Sequence, residues 1–215
     1  MMWLSVFLLC VLVFIGTRIE AKKVTIYNNK PRLDINGEIV DAHDGCILYH
    51  NGTYFLYGES YGNKTLATPY PWPDYPRLAV YTSPDLVAWT YQGPMLTLDQ
   101  VPGTLWIPRV VFHEPSQRFI LWFGAGGWGT AISDDGIHFK PAVLGQTSRF
   151  GQQAGTDGTG VFIDDDGEGY IIFASSPVGM TKNHVVSIER LSPDLLTSTR
   201  SLLARYTHCN SINVI

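Results

Sequence analysis

Two aspartates stand where carboxylate chemistry is plausible. Asp44 follows His43 in Asp41-Ala42-His43-Asp44-Gly45, and Asp157 lies in Gly155-Thr156-Asp157-Gly158-Thr159-Gly160. Each immediately precedes a run of strand-forming residues, so each is expected at the mouth of a β-strand. Hydrolysis of a glycosidic bond requires two carboxyl groups in unequal environments, one acting on water and the other on the leaving oxygen. Each aspartate also has a simpler reading, because Asp before Gly is a common turn former.

Three further residues belong with them. Glu59, in Leu56-Tyr57-Gly58-Glu59-Ser60, ends a β-like run, where it either accepts hydrogen bonds from sugar hydroxyls or is an exposed strand end. Trp106, in Leu105-Trp106-Ile107-Pro108-Arg109, offers a face on which a sugar ring stacks, with core packing as its alternative. Arg109 then supplies a planar donor for a hydroxyl or carboxylate.

Other chemistries find less support. Gly124-Ala125-Gly126-Gly127-Trp128-Gly129 satisfies a dinucleotide glycine pattern, but a hairpin follows it and not the helix whose N-terminus would hold pyrophosphate. Asp164-Asp165-Asp166-Gly167 lacks the remainder of a calcium loop and reads as a hairpin turn. The six histidines include no pair at metal-ligand spacing, and no Gly-x-Ser-x-Gly elbow occurs. No metal and no cofactor is therefore expected. A net charge of -4 with no basic stripe argues against nucleic acid as a partner.

The elements that must position these residues are short. Apolar residues at helical spacing are absent over any long stretch, whereas β-rich runs recur between turn clusters, predicting an all-β domain. A hairpin of one kind is predicted at Cys46–Tyr57, Val110–Phe123 and Gly160–Phe173, with turns at His50-Asn51-Gly52, Glu114–Gln117 and Asp165-Asp166-Gly167. A second hairpin follows each, at Ala79–Thr90, Ala131–Phe139 and Val186–Leu196. Two hairpins per unit make a four-stranded blade, and repetition of such units predicts a β-propeller. The blades fall at about residues 41–95, 105–145 and 156–198. Asp44 and Asp157 would then face one central channel from separate blades.

Propellers close with roughly four to eight blades. Three are too few, and Arg205–Ile215 shows no capping strand that would finish a ring, so the chain is expected to be an incomplete propeller, either a piece or splice product of a longer protein or one that pairs with another copy through its open edge.

At the N-terminus, the apolar Trp3–Ile15 precedes Gly16–Ala21, which predicts a signal peptide over residues 1–21 and secretion of residues 22–215. The apolar run is shorter than the roughly 20 residues a bilayer span requires, so no membrane attachment is expected after cleavage. Asn51-Gly52-Thr53 and Asn63-Lys64-Thr65 are acceptor sequences for N-glycans. Cys46 and Cys209 are too few for a disulfide-built scaffold, and one bridge between them stays open.

Taken together, Ala42-His43-Asp44-Gly45, Gly52–Glu59, Trp106–Val110 and Asp157 with Phe162–Tyr170 resemble glycoside hydrolase family 43. Those enzymes are five-bladed propellers acting on arabinans, xylans and galactans. The resemblance implies an inverting mechanism with Asp44 as general base and Asp157 as the carboxylate that orients the acid. It places His43, Glu59, Trp106 and Arg109 among the sugar contacts. The galactanase branch usually has Gly where this chain has Asp44, yet shares the Tyr-Gly-Glu ending, so an oligo- or polysaccharide of galactan, arabinan or xylan type is the expected substrate. The family's general acid is a Glu at the fourth blade, and no Glu follows Glu189, which lies inside a predicted strand. The chain alone is therefore expected to be inactive or impaired. The alternatives are a non-catalytic carbohydrate-binding propeller and a purely structural one.

Overall fold

In a computed structural model, residues 23–62, 76–148, 158–175, 185–207 and 211–214 are described. They form three antiparallel sheets in chain order. Strands β1 (His43–His50), β2 (Thr53–Ser60), β3 (Arg77–Ser83) and β4 (Thr90–Pro94) build the first. Strands β5 (Trp106–His113), β6 (Arg118–Gly124), β7 (Trp128–Ser133) and β8 (Lys140–Gln146) build the second. The third holds β9 (Gly160–Ile163), β10 (Gly169–Ser175), β11 (Val185–Leu191) and β12 (Ser198–Thr207), with β13 (Ser211–Val214) added beyond them.

Every sheet is a meander of consecutive strands, which is the blade pattern the hairpin repetition predicts. The first strands β1, β5 and β9 lie side by side, β5 touching both neighbours. The middle strands are covered on both faces and read as near-continuous apolar runs, such as Phe119–Phe123 of β6. The outer strand β8 alternates between covered and exposed residues.

Burial occurs between blades. Phe55, Tyr57, Leu78 and Val80 of blade one interlock with Leu105, Val110, Phe119 and Leu121 of blade two. Trp122 and Trp128 of blade two meet Ile171, Phe173 and Leu195 of blade three, and Trp122 Nε1 donates to the Leu195 carbonyl at 2.8 Å. Aromatic side chains dominate these seams because each ring fills the wide gap between two twisted sheets.

The outer hairpins carry a shared turn. In Ser83-Pro84-Asp85, Ser133-Asp134-Asp135 and Ser192-Pro193-Asp194, the Asp carboxylate accepts amides two or three residues ahead. The left-handed slot of this turn holds Leu86, Gly136 and Leu195. An Asx-type turn replaces backbone pairing where the chain reverses, which fixes the hairpin without a long loop.

The tail Arg205–Ile215, expected to hold no strand that would finish a ring, does add a strand, at the edge of the third sheet. Arg205–Thr207 complete β12, and Ser211–Val214 pair back on it with Thr207 opposite Ser211. The strand-forming pairs on either side of His208-Cys209-Asn210 outweigh the polar character of the tail. Cys46 carries a free thiol, and Cys209 lies outside the described residues. The second glycan acceptor, Asn63, also lies outside them, whereas Asn51 is exposed in the tight turn between β1 and β2.

Candidate active site on the inner strands

The ladders of blades one and two contain the same irregularity at the same place. In blade one, His43 pairs with Glu59 and Cys46 with Tyr57, so Asp44 and Gly45 together oppose Gly58. In blade two, Trp106 pairs with Gly124 and Arg109 with Trp122, so Ile107 and Pro108 together oppose Phe123. These are β-bulges, which bend a strand and re-aim its side chains. The first bulge residue is left-handed in both cases, with φ of 47° at Asp44 and 51° at Ile107. Asp enters that region more readily than most residues; β-branched Ile does so against a cost of about 1–2 kcal/mol.

Local sequence explains the first bulge. A side chain at Gly45 would overlap the Tyr57 carbonyl, and one at Gly58 would overlap Ala42. Only glycine at both positions lets the bulged strand press against its partner. The Asp44 carboxylate is thereby presented at the surface, where it makes no hydrogen bond or ion pair with any described residue. An exposed, uncommitted carboxylate is free to act on water.

Around it stands a polar cluster. Glu59 is 2% exposed, so it is not the exposed strand end that was one of its two readings. Its Oε1 accepts the Ile107 amide at 2.7 Å, and its Oε2 accepts the Tyr61 hydroxyl at 2.9 Å. Burial raises the Glu59 pKa above the usual carboxylate range, against the lowering effect of those two donors. Burial and the bond to Glu59 push Tyr61 up to about 12.

His43 is exposed, its Nε2 3.0 Å from Asp41 Oδ1 and its ring edge-on to Tyr61. Asp41 also accepts the Ser60 hydroxyl and the amides of Tyr61 and Gly62, tying the segment after β2 to the mouth of β1. Asp41 and Tyr61 were missed in the sequence. The signal available was the Asp two residues ahead of the His, whose partners sit some twenty residues along the chain.

Trp106 is half-buried, between its two sequence readings. Arg109 uses Nη1 on the carbonyls of Asp44 at 2.8 Å and Pro108 at 2.9 Å, so this nitrogen holds backbone and not the hydroxyl or carboxylate expected of it. The reason is proximity: β1 and β5 are adjacent, and the bulge turns the Asp44 carbonyl toward blade two. Asp157 lies outside the described residues. Glu189 is fully buried on β11 and bonded to the Ser198 hydroxyl, inside the blade as the sequence predicts. Among the described residues no group of three or more His, Cys, Asp or Glu is arranged to hold a metal ion.

Three four-stranded blades, the first two with bulged inner strands, make up part of a β-propeller, and comparison with solved structures makes the fold more specific. An exo-β-1,3-galactanase from Clostridium thermocellum is 23% identical, with a TM-score of 0.67 over 84% of this chain and 40% of that one. The galactose complex of an exo-β-1,3-galactanase from Phanerochaete chrysosporium is 22% identical, with a TM-score of 0.68 over 85% of this chain and 42% of that one. A family 43 α-L-arabinofuranosidase from Clostridium thermocellum is 23% identical, with a TM-score of 0.56 over 75% of this chain and 54% of that one. The fold is that of the family 43 glycoside hydrolase propellers, and this chain spans about two fifths of the length of the two galactanases. Neither a protein-family model nor a curated relative matches the chain in sequence.

Proposed function

We propose that the chain forms part of a secreted glycoside hydrolase in which Asp44 is the general base of an inverting reaction on a galactan-, arabinan- or xylan-type polysaccharide. The observation that carries this reading is the Asp44 carboxylate itself, exposed and without a partner among the described residues, on a left-handed bulge at the inner strand of a propeller blade. In the reaction, Asp44 takes a proton from water as the oxygen attacks the anomeric carbon, and an acid elsewhere protonates the departing oxygen. Trp106 lies just ahead of the matching bulge on blade two, in the place His43 takes on blade one, and offers an apolar face to a sugar ring. The galactanase and arabinofuranosidase names of the structural neighbours support sugar as the ligand class. Asp157 remains the proposed second carboxylate on the ground of sequence alone.

A second reading, a carbohydrate-binding propeller without turnover, is favoured by Glu59. Both of its oxygens are committed to the chain, which leaves Asp44 as the free carboxylate of the described cluster. The two readings separate in one experiment. The chain, and any longer product containing it, is assayed on aryl galactoside, arabinofuranoside and xyloside, with galactose binding measured by calorimetry, each with Asp44→Asn alongside. Turnover abolished by Asp44→Asn with binding retained is the expected result. Binding without turnover in every product selects the second reading, and neither binding nor turnover rejects both.

A further inference from the structure

Two charged side chains cross the seam between blades one and two, in opposite directions, and each ends on the left-handed residue of the other blade's bulge. Glu59, on β2, reaches the amide of Ile107 at 2.7 Å. Arg109, on β5, reaches the carbonyl of Asp44 at 2.8 Å. A third bond lies between them, from the Val110 amide to Cys46 Sγ at 3.3 Å. We infer that Glu59 and Arg109 are positioning residues forming a reciprocal clasp, each holding the other blade's bulge in its left-handed conformation and so fixing Asp44 relative to Trp106.

The need for a clasp differs at its two ends. Asp44 suits a left-handed backbone, whereas Ile107 is of the residue class least suited to it, so Ile107 requires an external hold. Glu59 provides it where water is excluded, and a hydrogen bond in such a place is stronger than one made in water. The same burial explains why Glu59 resists ionisation and why the Ile107 amide, its first favourable partner, matters to it. At the other end, the Asp44 carbonyl is fixed while its carboxylate stays unbonded. Backbone order with a free functional group is what a positioned base requires.

This inference rests on the site proposed above and names what orders it, but its test requires no sugar. Amide hydrogen exchange is measured on the full chain, on Glu59→Ala, and on Glu59→Ala combined with Ile107→Gly. Loss of the Glu59 acceptor is expected to speed exchange of the Val110 amide roughly 10-fold as the bulge relaxes. Glycine at 107 adopts the left-handed conformation without strain, so the double variant should return to within about threefold of the unaltered chain. If Glu59→Ala does not fold alone, folding of the double variant supports the clasp. Failure of both to fold, or Val110 exchange unaffected by Glu59→Ala, overturns it. Reciprocity is read from the stability of Glu59→Ala combined with Arg109→Met: a loss smaller than the sum of the single losses is expected, and strict additivity overturns the coupling. Galactose titration of the unaltered chain is scored separately, since absence of binding counts against the glycosidase reading and leaves the exchange result standing.

Discussion

Blades one and two solve one geometric problem with different residues. Position by position, His43, Asp44, Gly45 and Cys46 match Trp106, Ile107, Pro108 and Arg109 around the two bulges. Blade one fills the left-handed place with a residue suited to it and follows with a glycine that the partner strand demands. Blade two fills the same place with a strained Ile followed by Pro, and stabilises it from outside through Glu59. The difference teaches that bulge geometry belongs to the blade architecture, while the chemistry belongs to whichever blade carries a polar residue there. One blade thus presents a carboxylate and its neighbour an apolar and aromatic surface, a division that suits a ligand with both hydroxyl-bearing edges and an apolar face.

The comparison is tested most severely at Asp44. Asp44→Asn keeps the left-handed backbone but removes the base, so turnover by the catalytically complete protein should fall roughly 10²–10⁴-fold with galactose affinity little changed. Steady-state kinetics and calorimetry on the same preparations check this, and a parallel loss of affinity would mean that Asp44 holds sugar instead of activating water. The next largest effect concerns the second bulge residue. Gly45→Ala should destabilise by about 1–3 kcal/mol because the added methyl meets the Tyr57 backbone, whereas Pro108→Ala should change stability by less than about 1 kcal/mol. Urea melts of both variants decide whether the blades differ there as described.

Exchanging the residue classes at the left-handed positions should move stability in opposite directions. Asp44→Ile is expected to cost about 1–2 kcal/mol, and Ile107→Asn to gain up to about 1 kcal/mol, less whatever apolar burial is lost. Equal effects in the two blades would deny that Ile107 is strained. The smallest effect is a pH dependence. Glu59 has a folded pKa above its ordinary value of 4.5, chiefly through burial. The folded state therefore holds this proton more tightly, and the resulting stability is full below about pH 4.5 and is lost as pH rises through the raised value. Thermal melts across that window should show the decline in the unaltered chain and a shallower one in Glu59→Gln.

Much of the fold could be read from the sequence because blades repeat: the inner hairpins at Cys46–Tyr57 and Val110–Phe123 fall within β1–β2 and β5–β6 as predicted. The tail escaped because its strands are short and separated by polar residues, so pairing with β12, a non-local event, decides their state. At the site, Asp44 was legible as a type and a place, but its left-handed φ was hidden in a run that looks like regular strand. Glu59 and Arg109 were grouped with Trp106 as sugar contacts, but the backbone partners the structure gives them were not foreseen, because both bind backbone across a seam between blades. A sequence marks donors and acceptors on side chains far better than it marks which amide or carbonyl they will meet. Asp41 was quoted as part of a motif and passed over for the same reason, since the amides it binds at Tyr61 and Gly62 carry no signature of their own.

The left-handed φ at Asp44 also bears on how this position can change over generations. A backbone of that kind admits few residues without strain, chiefly Gly, Asn and Asp. The codons for Asp are each one nucleotide away from a codon for Gly and one from a codon for Asn. The carboxylate at this bulge can therefore be lost or regained by a point mutation that the surrounding sheet scarcely registers. The scaffold itself acts as the filter, admitting the few residues that a left-handed backbone tolerates and rejecting most others.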